Sequence, residues 1–387
     1  MRQELLQKFY QVFEGEETAR VFFAPGRVNL IGEHTDYNGG HVFPCALTIG
    51  TYAVARKNQD KTLRFYSANF EELGMLVSSL DELTYRKEED WINYPKGVLW
   101  ALKEQGYTID SGMDILYFGT IPNGSGLSSS ASIEVLTGFV AKELFDLDVS
   151  MIDLALLGQK AENQYIGVNC GIMDQFAIAM GKENQAIFLD TADLSYEYAP
   201  LKLDGIKIVI VNTNKKRGLG ESKYNERRSE CELSLKELQK VLQIKSLGDL
   251  TIAMFEENQE LITNETNRKR AKHAVYENQR TIQAVAALKE GNLTRFGELM
   301  TQSGISLRDD YEVTGLELDA AVSAMLAQPG VLGARMTGAG FGGCAVSLVK
   351  EEMVDQFIDN VGKRYVSEIG YEASFYVVSI GNGPIEL

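Results

Sequence analysis

Hydrophobic and polar positions divide this chain into short alternating runs and longer helical stretches. Alternation of apolar with polar residues predicts strands, whereas apolar residues three and four positions apart predict helices. The predicted strands are residues 21–24, 47–56, 63–67, 74–78, 115–121, 186–189, 206–211, 344–349 and 374–380. The predicted helices are residues 2–13, 91–104, 133–144, 151–165, 172–180, 222–290 with a break near 246–250, 294–303, 316–327 and 353–369.

The order of these elements predicts an α+β protein with two domains. Strands precede most helices in the first half of the chain, and helices precede strands in the second. With 387 residues, the chain is long enough for two or three domains with sizeable cores. We predict domains at residues 1–195 and 196–387, each with mixed or antiparallel sheets and helices, facing each other.

Residues 122–132, rich in serine and glycine, join a predicted strand to a predicted helix. Such a junction directs free backbone N–H groups at a phosphate. A Walker loop is excluded, because no lysine precedes the serines at the helix start. The same letters also fit a turn followed by a helix N-cap, so spacing alone leaves both interpretations open. The glycines and hydroxyls concerned are Gly124, Gly126, Ser128, Ser129 and Ser130.

A second polar stretch, residues 26–40, is too long for a simple turn. Glu33, His34 and Asp36 supply hydrogen-bond acceptors, and Arg27 supplies a fixed cation. Carboxylates that can grip neighbouring hydroxyls are what a sugar pocket needs. The alternative is a solvated surface loop with an Asx turn, in which Arg27 forms an ordinary surface ion pair.

Two acidic residues in the middle of the chain are candidates for chemistry. Asp174 lies in an apolar run, where an ionised carboxylate needs a partner. It is the best-placed candidate for a general base, although it could simply cap the helix that begins there. Glu162 has the local pattern of a solvated helix residue unless a metal ion is nearby.

A third glycine-rich stretch, residues 336–344, contains a literal G-x-G-x-x-G across Gly338, Gly340 and Gly343. A strand rather than a helix follows it, so a dinucleotide-binding interpretation is rejected. A glycine loop that closes over a ligand between domains is the better interpretation.

Composition narrows the classes of partner. The net charge of −16 argues against nucleic acid or an anionic membrane surface as the main partner. The four cysteines are far apart and form no Cys-x-x-Cys pair, which predicts reduced, packed thiols in a cytoplasmic protein. The first residues form an amphipathic helix rather than a signal peptide, and no apolar run approaches the roughly 18 residues of a membrane span.

Together, the three stretches resemble the GHMP kinase superfamily and, within it, the galactokinases. Residues 26–40 are similar to the galactokinase signature loop, residues 122–132 to the family's phosphate loop, and residues 337–343 to its C-terminal glycine motif. The resemblance spans nearly the whole chain, and no motif position departs from it. The most specific part is the Gly-Glu-His-Thr-Asp string at residues 32–36.

The resemblance implies a two-lobed GHMP-kinase fold with ATP and a sugar in the cleft between the lobes. Asp174 would be the base and Arg27 its partner, while Ser130 and Glu162 would ligate Mg²⁺. Ser67 would lie beside the nucleotide. Residues implied to hold the sugar are Glu33, His34, Thr35, Asp36 and Tyr224. Residues implied to wrap the phosphates are Gly124, Ser125, Gly126, Leu127, Ser128, Ser129 and Ser130.

The implied reaction is phosphorylation of the C1 hydroxyl of galactose by ATP, in a cytoplasmic monomer whose partners are galactose and ATP. A kinase of a related sugar, such as N-acetylgalactosamine, galacturonate or arabinose, is the nearest alternative. A non-catalytic sugar sensor is another, although the phosphate loop, Arg27 and Asp174 are all intact here.

Overall fold

The computed structural model describes residues 1–15, 17–121, 126–215 and 220–387, except for the side chains of residues 220 and 221. The predicted residues Gly124 and Ser125 therefore lie outside the described residues. Within the described part, the strands are β1 (Arg20–Asn29), β2 (His41–Val42), β3 (Pro44–Lys57), β4 (Thr62–Ser67), β5 (Leu76–Ser79), β6 (Met113–Gly119), β7 (Gln185–Asp190), β8 (Tyr196–Pro200), β9 (Ile206–Asn212), β10 (Val331–Thr337), β11 (Cys344–Lys350), β12 (Ser374–Val378) and β13 (Ile385–Glu386).

Most helices follow the predicted stretches closely, but the predicted region 222–290 is divided into three α-helices instead of two. A π-helical turn, Ala161–Ile166, extends the helix Met151–Lys160 (α4) where the sequence predicts one continuous helix. Local chemistry explains several boundaries; α4, for example, begins where the hydroxyl of Ser150 accepts a hydrogen bond from the N–H of Asp153 at 3.0 Å. The described α-helices are α1 (Arg2–Val12), α2 (Asn93–Glu104), α3 (Ser129–Phe145), α4 (Met151–Lys160), α5 (Met173–Ala179), α6 (Gly220–Leu238), α7 (Ile252–Asn258), α8 (Glu265–Lys289), α9 (Leu293–Asp309), α10 (Leu316–Leu326) and α11 (Val354–Ile369).

Three sheets organise these elements. The largest has strand order β13-β1-β3-β6-β4-β5 and is antiparallel except for the parallel pair β4 and β6. The second, with order β10-β11-β9-β12, is antiparallel throughout, and α9 and α10 pack against β10. The third joins β2, β7 and β8. The mixed and antiparallel α+β architecture predicted from the sequence is confirmed.

The predicted domain boundary, between residues 195 and 196, does not coincide with the change from one hydrogen-bonded sheet to the next. β7 and β8 form an antiparallel hairpin, which a division between residues 195 and 196 would cut. Beyond β8 the chain enters β9, in the middle of the second large sheet. The last strand, β13, returns to pair with β1 of the first sheet. We therefore propose a division between β8 and β9, with the C-terminal strand belonging to the N-terminal lobe.

Apolar packing joins the two lobes. Each lobe has its own core, and a further buried cluster contains Val28 and Phe43 from the first lobe with Ile210, Phe296 and Val346 from the second. Fully burying a side chain of this size contributes about 1.5–3 kcal/mol. This cluster lies directly behind β1, so it fixes the strand that carries Arg27. No helix in the described residues is long and apolar enough to span a membrane.

The first strand is longer than predicted, and the difference matters for the site. The sequence predicts a strand only over residues 21–24, followed by a polar loop. β1 instead runs on to Asn29, and its pairing with β3 shifts register between Pro25 and Arg27. Such a bulge re-aims the side chain that follows it. Arg27 is consequently a strand residue with a fixed direction.

Candidate active site

A cleft of about 740 Å³ brings the three glycine-rich stretches together. Its volume is in the range of pockets that hold small molecules. Twelve of the predicted site residues line it, including Arg27, Glu33, His34, Asp36, Ser67, Gly126, Ser128, Ser129, Ser130 and Glu162. Asp174, Tyr224 and residues 338–343 complete the same wall.

Arg27 and Asp174 form a bidentate ion pair in this cleft. Nε and Nη2 of Arg27 donate to Oδ1 and Oδ2 of Asp174, each at 2.8 Å, and Nη1 donates to the carbonyl of Gly126 at 2.7 Å. The side chain of Arg27 is 3% exposed, whereas that of Asp174 is 29% exposed. Burial opposes the charge of Arg27, but Asp174 and Glu33 outweigh it and raise the pKa of the guanidinium. The carboxylate is thus held in one orientation and still open to the cleft.

The serine loop approaches the same carboxylate. Ser128 has a left-handed backbone, with φ of 62°, and its hydroxyl donates to Oδ2 of Asp174. Helix α3 begins at the next residue, so its first N–H groups lie at the cleft. The side chain of Leu127 is fully buried in the cluster between the lobes, so a contact with phosphate would come from its backbone. Only its backbone serves the site, through a bond of 3.3 Å from the N–H of Arg27 to its carbonyl.

Asp36 lies in the same cleft, beside the residue that precedes Asp174. Its Oδ2 accepts a hydrogen bond from the N–H of Met173 at 3.3 Å. Gly171 makes room for it, since a Cβ there would meet Oδ2 of Asp36 at 1.9 Å. Burial, and then the charge of Asp174, raises the pKa of Asp36 to about 7. A hydroxyl-rich ligand could donate to this carboxyl group.

His34 also lines the cleft. Its ring Nδ1 lies 2.8 Å from the hydroxyl of Tyr37, while its buried Nε2 makes no well-aligned hydrogen bond in the protein, although the backbone of Ala339 lies near the ring. Burial lowers the pKa of His34 to about 3, so the imidazole is neutral. A buried polar atom without a partner is costly. A ligand in the cleft would supply that partner.

Glu33 connects two of the glycine-rich stretches. Its Oε1 accepts from the N–H of Gly338 at 2.8 Å and from the hydroxyl of Thr337 at 3.0 Å. The fully buried Arg335 lies 3.2 Å from the same oxygen. Gly338 is required here, because its φ is +83° and a Cβ would meet the carbonyl oxygen of Gly126 at 2.7 Å. Glu33 therefore holds the C-terminal glycine loop as well as facing the cleft.

Two further predictions have different outcomes. Thr35 is not brought to the cleft wall: it is fully buried, and its hydroxyl contacts the carbonyls of Gly32 at 2.8 Å and His41 at 2.7 Å. It shapes the loop instead of facing a ligand. Tyr224, on α6, does line the cleft, with its ring centroid 5.6 Å from that of His34.

Glu162 is buried, so the prediction of a solvated helix residue from local pattern is wrong. Its Oε1 accepts from the hydroxyl of Ser130 at 3.3 Å, and its Oε2 accepts from Nε2 of Gln175 at 2.8 Å. Burial, and then the charge of Asp174, raises the pKa of Glu162 to about 7. No sequence pattern predicts the role of Gln175, which also donates to the fully buried Glu134 at 3.1 Å.

Ser130 and Glu162 fit a magnesium ion by their chemistry. Two hard oxygen atoms 3.3 Å apart could occupy adjacent positions around the ion. Magnesium keeps several waters or phosphate oxygens and needs few protein ligands. The described part of the chain contains no group of three or more histidine, cysteine and acidic residues arranged for a metal.

The far end of the cleft, beyond Ser67, is aromatic. The hydroxyl of Ser67 accepts from the N–H of Asn69 at 3.2 Å. No sequence pattern predicts the residues around it, because they come from separate elements and share no motif. They are Phe70, Trp91, Tyr94, Tyr117 and Ile133. A flat apolar group would fit between them.

Comparison with known proteins identifies the family. Family models match residues 7–57 (galactokinase galactose-binding signature), 93–182 (GHMP kinases N terminal domain) and 284–367 (GHMP kinases C terminal). The chain is 60% identical to the galactokinase of Clostridium beijerinckii, over 98% of this chain and 97% of that protein. It is 58% identical to the galactokinase of Ligilactobacillus salivarius, over 97% of each. The chain belongs to the galactokinase family.

Solved structures agree with membership of the galactokinase family. The crystal structure of Lactococcus lactis galactokinase complexed with galactose is 53% identical, covers 100% of both chains and superposes with a TM-score of 0.98. The mevalonate kinase of Methanococcus jannaschii matches with a TM-score of 0.68 at 19% identity, over 95% of this chain. The second likeness shows the shared GHMP-kinase fold alone. The fold that the resemblance implied is confirmed.

Proposed function

We propose that this protein transfers the γ-phosphoryl group of ATP to the C1 hydroxyl of galactose, giving galactose 1-phosphate and ADP. The observation that carries the proposal is the bidentate pair of Arg27 and Asp174 at the meeting point of the three glycine-rich stretches. Its relatives are galactokinases over their full length. The pair supplies a base next to a helix start suited to phosphate.

Asp174 would act as the general base. The sugar hydroxyl is a poor nucleophile until its proton can leave, and the exposed face of Asp174 is the acceptor within the cleft. Arg27 stabilises the charged carboxylate and any negative charge that builds on the transferred group. Ser128 and Arg27 both donate to Oδ2, so Oδ1, which accepts only from Nε of Arg27, is the less occupied oxygen. Catalysis by this arrangement is mostly alignment plus electrostatics.

The start of α3 would hold the phosphates. Its free N–H groups and the hydroxyls of Ser129 and Ser130 face the cleft. The predicted contacts from Gly124 and Ser125 remain part of this proposal. Ser130 and Glu162 would hold Mg²⁺, which when bound neutralises phosphate charge and orients the transferring group. The aromatic end beyond Ser67 would take the adenine ring.

The opposite end would hold the sugar. Asp36, His34 and Glu33 present two carboxyl groups and one unpartnered imidazole nitrogen to the cleft. The ring of Tyr224 would cover the apolar face of the sugar. We also propose that the protein is a cytoplasmic monomer, since its net charge of −16 disfavours self-association and its four cysteines are unpaired.

An ADP-release assay across galactose, N-acetylgalactosamine, galacturonate, arabinose, homoserine and mevalonate tests the proposal. We expect turnover with galactose to exceed that with every other acceptor. Faster turnover with another sugar would identify that sugar, and not galactose, as the substrate. Galactose binding without turnover on any acceptor would establish a sensor instead of a kinase.

A further inference from the structure

We infer that Tyr37 and Tyr311 are positioning residues that fix the tautomer of His34, so that its Nε2–H is a permanent hydrogen-bond donor to the sugar. The inference rests on the proposed function for the identity of the ligand. The tautomer itself is a property of the protein without substrate, and it can be tested separately.

A line of buried polar atoms leads away from the cleft behind His34. Nδ1 of His34 lies 2.8 Å from the hydroxyl of Tyr37, which lies 2.7 Å from the hydroxyl of Tyr311. The hydroxyl of Tyr311 lies 3.2 Å from Sγ of Cys231. Burial raises the pKa of both tyrosines well above the ordinary value, and that of Cys231 to about 11. Each group therefore carries its proton.

The strengths of the donors and acceptors decide which group donates each hydrogen bond along this line. A neutral imidazole nitrogen is the best acceptor present, and a phenolic hydroxyl is a stronger donor than an imidazole N–H. Tyr37 therefore donates to Nδ1 of His34, and Tyr311 donates to Tyr37. The reverse direction would direct the hydroxyl of Tyr311 at sulfur, which is a weak acceptor. A neutral imidazole that accepts at Nδ1 carries its single proton on Nε2.

Nε2 is also the atom that faces the ligand. It is buried, it makes no well-aligned hydrogen bond within the protein, and His34 is 4% exposed at the cleft wall, where the backbone of Ala339 also lies near the ring. A hydroxyl oxygen of the ligand can accept from it. A group without a lone pair, such as an ammonium, would leave Nε2–H unpaired and would be rejected.

Packing prevents the ring from turning over. His34 has a left-handed backbone with φ of 62°, and its carbonyl accepts from Nδ2 of Asn38 at 2.8 Å. Ring centroids of Tyr311 and Tyr224 lie 4.9 and 5.6 Å from that of His34. His273 packs on Tyr311 from the other side, with centroids 4.5 Å apart. The ring orientation, and not only the proton, is fixed before the ligand arrives.

Nitrogen-15 NMR of the full-length protein, labelled only in the histidine rings, tests the tautomer directly. The chain has three histidines, so His34 is assigned by the resonances that disappear in His34→Asn, a residue that tolerates the left-handed backbone. We expect a protonated Nε2 and a bare Nδ1 in the ligand-free protein at neutral pH. A protonated Nδ1, or fast exchange between the two tautomers, overturns the inference.

Two hydroxyl deletions test the consequence for substrate. Tyr37→Phe should give a mixture of His34 tautomers and raise KM for galactose about five- to ten-fold, the loss of one oriented hydrogen bond. KM for ATP should be unchanged. Tyr311→Phe should have a smaller effect on KM for galactose, because Tyr37 can still donate to His34. Tyr276→Phe is the matched control, since its hydroxyl contacts Glu256 outside the cleft at 2.6 Å.

These outcomes separate the inference from the proposed function. An unchanged KM for galactose and an unchanged tautomer in Tyr37→Phe would overturn the positioning role while leaving the kinase proposal intact. A protein that turns over another sugar would overturn the proposed substrate, and the tautomer in the ligand-free protein would still be decided by the NMR spectrum.

Discussion

Arg27 and Asp174 are 147 residues apart in the chain, yet two parallel hydrogen bonds of 2.8 Å join them. The bulge in β1 directs the arginine, and the first turn of α5 carries the aspartate. A planar guanidinium matches both carboxylate oxygens, which a lysine cannot do. The pair is therefore fixed in geometry as well as in charge.

Arg27→Lys should lower kcat by about two orders of magnitude or more, because one ammonium cannot hold both oxygens of Asp174 and the transferring group. KM for ATP should change little, since α3 and the glycine loops remain. Steady-state kinetics measures both. Arg20→Lys is the control: Arg20 lies on the same strand and forms a similar fork with Glu386 outside the cleft. Near-normal kcat in Arg27→Lys would remove the proposed role.

Glu162→Gln should raise the Mg²⁺ concentration needed for half-maximal activity about ten-fold or more, because a neutral amide replaces a charged oxygen ligand. Ser130→Ala should act in the same direction and less strongly. Titration of Mg²⁺ at saturating ATP and galactose measures the change. Glu143→Gln, on the outer end of α3, should leave the titration unchanged. An unchanged Mg²⁺ requirement in both cleft variants would place the ion elsewhere.

Asp36 should make the ligand-free protein less stable as pH rises. Its pKa is raised to about 7 in the fold, above the ordinary value of 3.8, so the folded state retains a proton that the unfolded state loses between these values. Stability contributed by this proton is present below pH 4 and is lost as pH rises towards 7, by at most about 1.4 kcal/mol per pH unit. The free energy of unfolding of Asp36→Asn, measured in urea, should therefore rise relative to that of the wild type between pH 5 and pH 8. A constant difference between the two unfolding free energies over that pH range would contradict the raised pKa.

Gly171→Ala should weaken galactose binding through Asp36. The new Cβ would meet Oδ2 of Asp36 at 1.9 Å, so the carboxyl group must move. We expect KM for galactose to rise about ten-fold, with a smaller effect on KM for ATP. Gly362→Ala is the matched control, because its Cβ would make only ordinary contact, at 3.5 Å, with the ring of Phe375. Equal effects of the two substitutions would argue against a role for this contact.

Much of the fold was predictable because local pattern and tertiary structure agree. Helices such as α2 and α11 carry clear periodicity, and their boundaries lie within two residues of the prediction. Short strands without strong alternation, β8 and β10, were missed. β10 contains Arg335, and an arginine in a sequence usually indicates a solvent-exposed position. Arg335 is instead fully buried, because it pairs with Glu33, which lies 302 positions away in the chain.

In the site, too, contacts between residues far apart in the chain could not be predicted from local pattern. The family resemblance implied that Arg27 and Asp174 are partners, but only the structure shows that two parallel hydrogen bonds join them. Local pattern alone predicted a solvated Glu162 unless a metal ion is nearby, because its own helix gives no sign of Gln175, which donates a hydrogen bond to it. Thr35 lies within a recognisable loop, but only the structure shows that its hydroxyl bonds to the loop itself. Sequence identified the stretches, and packing decided which side chains face the cleft.

Asp174→Asn tests the central claim most directly, because it keeps the shape of the side chain and removes its basicity. Galactose and ATP binding should be measured by calorimetry, and phosphoryl transfer in a single turnover by rapid quench. We predict binding of both ligands within a few-fold of the wild type and a transfer rate lower by about 10³-fold or more. Transfer within ten-fold of the wild type, with both ligands bound normally, would contradict the assignment of Asp174 as the base.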